Sequence, residues 1–216
     1  MSAYPTVSTG QHRRSPRRAR RPETGIASDA LVFACATAAE ERVARRAGLR
    51  TALIGLGGAN GLPDGDLVSF GLAGSLDGLG AGVVVDARRV VDERGETLWE
   101  GKGLGVPTAV PGTVLATDRL VDDPDERRRL HDEAGADIVD LESGVLARTG
   151  RLRGVVRVVA DTPGRPLGHL RGAARADGSA DLVGLARAVG RGRLATVRAI
   201  NDARCALRAL EGAVRG

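Results

Sequence analysis

Aromatic side chains are nearly absent from this 216-residue chain, which has two Phe, one Tyr and one Trp. Stacking of successive bases on aromatic faces, the usual means of holding a single nucleic-acid strand, is therefore excluded as a major theme. Cysteine is as scarce. Cys35 and Cys205 lie far apart with no ligand-like spacing, so neither a disulfide framework nor a zinc site is expected, and both read as small buried hydrophobes. The three histidines are scattered: His12 near the amino end, His131 on the exposed face of an Arg-rich helix, and His169 in a loop beside Arg171. No His, Cys and carboxylate cluster has metal spacing, and no metal or cofactor is expected. Lysine is reduced to Lys102, in a chain otherwise rich in arginine, a compositional bias without mechanism; Arg165 and Arg171 read as solvated. No apolar run approaches the roughly 18 residues of a membrane span, and none follows the basic start as a secretory signal requires. A soluble, cytoplasmic protein is the expectation.

Charge is unevenly placed. Residues 1–28 hold Arg13, Arg14, Arg17, Arg18, Arg20 and Arg21 against Glu23, a surplus of five that equals the formal net charge of the whole chain, +5. The body from Asp29 onward is neutral, which argues against a nucleic-acid-binding surface. Residues 1–28 read as a disordered basic leader and 29–216 as one domain, a length able to bury one substantial core.

Strands and helices alternate along that body. Strands are expected at 30–35, 50–54, 66–70, 82–86, 98–99, 108–110, 114–115 and 155–160, with helices at 38–47, 125–134, 142–148, 181–189 and 193–210. Asp123-Pro124 supplies the N-cap and first turn of the second helix. Such alternation predicts an α/β fold with a twisted, mostly parallel central sheet flanked by helices. Several glycine-rich stretches mimic nucleotide loops without matching them. Gly55-Leu56-Gly57-Gly58-Ala59-Asn60-Gly61 has Asn60 in place of the third fingerprint glycine, Gly190 to Ala195 follows a helix instead of a strand, and Gly95 to Lys102 has the wrong spacing and lacks the Ser or Thr that binds magnesium.

The informative residues are carboxylates at strand ends, where open α/β sheets bind ligands. Asp137-Ile138-Val139-Asp140-Leu141-Glu142-Ser143 delivers Glu142 to the start of a helix, and Val155 to Ala160 runs into Asp161. Upstream lie Phe33-Ala34-Cys35-Ala36-Thr37-Ala38-Ala39-Glu40-Glu41 and Ser69-Phe70-Gly71-Leu72-Ala73-Gly74-Ser75. These three pieces, in this order over roughly residues 31–210, resemble the nucleoside phosphorylase/nucleosidase superfamily, of the purine nucleoside phosphorylase and methylthioadenosine/S-adenosylhomocysteine nucleosidase type. Within it, Ser69 to Gly74, Gly135-Ala136-Asp137 and Asp161-Thr162-Pro163-Gly164-Arg165-Pro166-Leu167 most resemble the hopanoid-associated branch, which acts on adenosylhopane.

The resemblance implies a single-domain phosphorylase-like fold, 5′-modified adenosines as the substrate class, no cofactor, a homodimer, and water or phosphate as nucleophile. It places Glu40 as the water-activating base, Asp161 as the acid that protonates the purine, and Glu142 as the grip on the ribose hydroxyls. Gly71, Leu72, Ala73 and Gly74 form a Gly-x-Ala-Gly loop at the substrate, Leu141 lies under the sugar, and Leu115 falls where relatives stack an aromatic on adenine. The chemistry fits these residue types. Cleavage of a purine N-glycosidic bond passes through a cationic sugar that a carboxylate stabilises, and the base leaves once it is protonated by an acid of raised pKa. Bland roles compete: Glu40 as a solvated first-turn carboxylate favoured by the helix dipole, and Asp161 as the initiator of the turn at Thr162-Pro163.

The pattern also has departures. Ala160 replaces the serine that positions the Asp in many relatives, Leu141 replaces a methionine, and residues 55–63 are too few for a helix that relatives carry there. The short stretch between Glu40 and Ser69 is expected to leave an open groove for a bulky 5′ group. Phosphate-using relatives place an arginine just before the Gly-x-Ala-Gly loop, where this chain has Val68-Ser69-Phe70, so hydrolysis releasing adenine is the leading expectation. The alternatives are phosphorolysis with an arginine from elsewhere and a degenerate protein that binds nucleosides without cleaving them.

Overall fold

The computed structural model describes residues 30–165, 175–179 and 193–215, with side chains of the last segment from residue 196. The leader, the helix expected at 181–189, His169 and Arg171 lie outside the described residues.

Eight strands form one mixed sheet: β1 (Leu31–Cys35), β2 (Thr51–Leu53), β3 (Asp66–Ser75), β4 (Val84–Val91), β5 (Thr97–Glu100), β6 (Val110–Ala116), β7 (Ile138–Asp140) and β8 (Leu152–Asp161). Five neighbouring pairs run parallel; β3 with β7, β4 with β5 and β4 with β8 run antiparallel. β8 pairs with both β3 and β4, so β3, β8, β4, β6 and β7 close into a ring, with β1 and β2 extending from β3 and β5 from β4. Closure removes exposed edges from those five strands.

Four helices are described: α1 (Ala38–Arg46), α2 (Pro124–Ala134), α3 (Ser143–Ala147) and α4 (Arg193–Arg215). The local chemistry explains their ends. Thr37 caps α1 through a reciprocal box with Glu40, Asp123 accepts from the amides of Asp125 and Glu126 ahead of Pro124, and Gly135 ends α2 in the left-handed conformation. Alternate residues of the long strands bury on opposite faces. Phe33, Val68, Phe70, Val156 and Val158 pack with Val43 of α1 and with Ala206, Leu210 and Val214 of α4. Val32, Leu67, Val85, Val114, Val155 and Val159 pack on the other side with Leu146 of α3. Apolar burial on both faces is what the near-continuous Val and Leu runs imply.

Several boundaries differ from expectation. Gly71 to Ser75 is not a loop but the second half of β3, because its backbone is paired to β8 and, at Gly74 and Ser75, to β7. The expected strands at 108–110 and 114–115 are one strand, β6, since Pro111 at an outer position of the pairing does not interrupt it. β4 continues to Val91. Cys35 is buried, but Cys205 is exposed, on the outward side of α4. His131 is half-buried, with Nδ1 2.7 Å from the carbonyl of Ala136. No described helix is long and apolar enough to cross a membrane.

Candidate active site

The ends of β3, β7 and β8 meet the amino end of α1 around a cavity of about 200 Å3. Its lining includes Glu40, Leu72, Ala73, Gly74, Leu141, Glu142 and Asp161, seven of the nine residues that sequence reasoning proposed. Glu40, Glu142 and Asp161 are 2%, 4% and 5% exposed, so three carboxylates are held out of bulk water around one small space.

Glu40 is not a solvated first-turn carboxylate. Its Oε2 accepts from the amide and the hydroxyl of Thr37, at 2.8 and 2.9 Å, and its Oε1 accepts from the amide of Leu72 at 2.7 Å. Helix capping and strand β3 thus fix the same side chain from two directions. Gly71 does not line the cavity; it permits this approach, since a Cβ there would collide with the Glu40 carboxylate.

Glu142 is held by Gly57 and Arg157. The Gly57 amide donates to Oε1 at 3.1 Å, and Nη2 of Arg157 donates to Oε2 at 3.2 Å. Burial pushes its pKa from the ordinary 4.5 up to about 7; Arg157 opposes the rise, and the nearby Asp140 and Glu40 add to it. Arg157 itself is fully buried between these groups. Its Nη1 donates to the carbonyl of Leu72 and its Nη2 to Ser69 Oγ, while Nε lies 2.7 Å from Asp140 Oδ2 as an ion pair. Asp140 also accepts from the amide and the hydroxyl of Ser143, so its carboxylate holds Arg157 and the first turn of α3.

Asp161 ends β8, at a register shift that skips from the Ala73–Val159 pair to the Gly74–Asp161 pair. Such an irregularity beside a site re-aims a side chain. The following turn is closed by backbone bonds between Thr162 and Arg165, while the Asp161 carboxylate pairs with the buried guanidinium of Arg127. Burial raises the pKa of Asp161 and Arg127 opposes it. Oδ1 sits beside Gly74, where a Cβ would approach it to 3.2 Å.

Leu115 does not line the cavity. It is fully buried on β6, packed among Leu76, Val91, Val121, Leu130 and Val139. The residue that reaches the cavity from this part of the chain is Leu120, 53% exposed, five positions further on where the strand has ended. Sequence reasoning also missed Arg157 and Arg127. A charged residue inside the apolar run 155–160 is a signal for the first. The second shares a helical face with Leu130 and Ala134, the i, i+3, i+7 pattern of a buried stripe, but is camouflaged by its arginine neighbours. Among the described residues no group of three or more His, Cys, Asp or Glu is placed to hold a metal ion.

Three solved structures share this architecture. The 5′-methylthioadenosine/S-adenosylhomocysteine nucleosidase of Neisseria meningitidis, in complex with methylthio-immucillin-A, superposes with a TM-score of 0.56 at 15% identity over 86% of this chain and 97% of that one. The nucleosidase of the same name from Helicobacter pylori, with butyl-thio-DADMe-Immucillin-A, gives 0.55 at 12% identity over 85% and 97%. The fold is that of these nucleosidases. Futalosine hydrolase of Helicobacter pylori also shares it, with a TM-score of 0.54 at 12% identity over 85% of this chain and 96% of that one. No protein-family model matches the sequence, and no curated protein matches it.

Beside the cavity, and sharing Leu56 and Leu141 with it, opens a wider groove of about 840 Å3. Its lining carries charges of both signs, including Asp92, Arg94, Asp118 and Arg148.

Proposed function

We propose that the protein hydrolyses the N-glycosidic bond of a 5′-modified adenosine and releases adenine. The observation that carries this reading is the convergence of the buried carboxylates of Glu40, Glu142 and Asp161 on one small cavity in a nucleosidase fold. Glu142, anchored by Gly57 and Arg157, accepts from the ribose hydroxyls and places negative charge beside the developing cationic sugar. Asp161, its pKa raised by burial, presents Oδ1 to the base and donates its proton to the leaving purine. Glu40 accepts a proton from water and directs the oxygen at the anomeric carbon; Oε1 keeps a lone pair beyond its single bond to the Leu72 amide.

Two contacts favour water over phosphate. The Leu72 amide, a donor an anion would use, is already taken by Glu40, and Arg157 donates to Leu72, Ser69 and Glu142 while its charge is paired with Asp140 and Glu142. Among the described residues that line the cavity, a phosphate would meet carboxylates and no Arg or Lys. The 5′ substituent extends past Leu56 and Leu141 into the wider groove, whose mixed charges suit a polar or zwitterionic tail better than a triterpene. Adenine release assayed on S-adenosylhomocysteine, methylthioadenosine and adenosylhopane, each with and without phosphate, tests the whole reading. Phosphate-independent release, fastest with S-adenosylhomocysteine, is expected. Strict phosphate dependence overturns the nucleophile, a preference for adenosylhopane overturns the groove assignment, and binding without release makes the protein a nucleoside-binding relative.

A further inference from the structure

Arg127, like Arg157, is a charged side chain buried outside the cavity lining. It projects from the first turn of α2 with 2% exposure and does not line the cavity. Its Nε donates to the carbonyl of Val121 at 2.9 Å, its Nη1 to the carbonyl of Ser75 at 2.9 Å, and its Nη2 pairs with Oδ2 of Asp161. One guanidinium thus joins the loop after β6, the end of β3 and the end of β8. The loop is the one that carries Leu120 into the cavity. The three partners are bonded to three different nitrogens of a planar fork, whereas the three donors of an ammonium radiate from a single nitrogen and do not reproduce that spread.

We infer that Arg127 is a positioning residue for Asp161: it ties up Oδ2, leaves Oδ1 as the oxygen that faces the base, and couples that geometry to the loop bearing Leu120. The inference rests on Asp161 being the acid of the proposed reaction. A serine preceding the acid would do the same work from β8 itself; here that position is Ala160, and the support comes from α2 instead. The charges facing Asp161 are Arg127, which holds its pKa down, and Asp122, which raises it and lies 4.0 Å from Nη2 of Arg127. Burial outweighs the cation, so the acid stays raised while its orientation is fixed.

The test compares Arg127→Met and Arg127→Lys with the wild type by carboxyl carbon NMR titration of the free protein, with Asp161→Asn assigning the signal, alongside adenine release as a function of pH. Arg127→Met removes the cation, so the Asp161 midpoint moves up, the alkaline limb of kcat moves up with it, and kcat on its plateau falls about tenfold with KM within about threefold. Arg127→Lys keeps the charge and loses the fork: the midpoint stays near that of the wild type while kcat still falls several-fold. A folded Arg127→Met with an unmoved midpoint overturns the inference. If Arg127→Met does not fold, an Arg127→Lys variant with wild-type kcat and pH profile overturns it alone. The NMR titration needs no turnover, so a wild type that releases no adenine sinks the proposed reaction while the Arg127–Asp161 relation is still decided.

Discussion

The amide of Leu72 donates to Glu40 at 2.7 Å, joining a helix start to the middle of a strand 32 residues later. That one bond turns a helix-capping glutamate into a buried carboxylate at the floor of the cavity. Glu40→Gln removes the base and keeps only one acceptor oxygen, so it can serve either the Leu72 amide or the Thr37 donors while its NH2 faces the other. A fall in kcat of on the order of a hundredfold or more is expected together with a lowered Tm; wild-type turnover measured on a properly folded variant would return Glu40 to a purely structural role.

Glu142→Gln should lower kcat/KM by about a hundredfold through loss of the charge beside the cationic sugar. The pH dependence gives a second readout. With its pKa near 7 in the free protein, the wild type should gain kcat/KM as pH rises through about 7, and the variant should lack that limb.

The same shift makes a stability prediction of fixed sign. A carboxyl whose pKa is about 7 folded and 4.5 unfolded binds its proton more tightly in the folded state. Its contribution is complete below pH 4.5 and disappears as pH rises through about 7, a difference of about 3 kcal/mol. Denaturant unfolding of wild type and Glu142→Gln between these pH values should show a steeper decline in the wild type; parallel curves would mean that Glu142 titrates normally.

Asp161→Asn should abolish release of adenine, which leaves poorly without a proton, and retain far more activity on a nitrophenyl riboside, whose leaving group needs none. Equal proportional losses on the two substrates would make Asp161 a structural partner of Arg127 and nothing more.

Leu115 and Leu120 should separate cleanly. Leu115→Ala empties a fully buried site and costs about 2–5 kcal/mol of stability. Leu120→Ala, at a half-exposed position, should leave Tm nearly unchanged and raise KM, whereas Leu120→Phe adds a stacking face and should lower KM. Chemical denaturation and steady-state kinetics check both; a KM unaffected by either change at 120 would remove that residue from the base site.

By itself the sequence determined the order and type of most elements, because buried strands need runs such as Val155 to Ala160 and capped helices need signals such as Thr37 with Glu40 or Asp123 with Pro124. It also marked the three carboxylates, since each sits where a strand or helix starts or stops. Tertiary structure alone decided what those carboxylates touch. Ring closure through β8 is a relation among distant strands that no local pattern encodes, and it sets Arg157 between Asp140 and Glu142. Whether Leu115 or Leu120 meets the cavity depends on where β6 stops pairing, and a strand end is set by its neighbours rather than by its own residues. Arg127 looked like any other arginine of an Arg-rich helix, because helical periodicity assigns a face but not the partner across from it; only packing α2 against the ends of β3 and β8 put its guanidinium on Asp161.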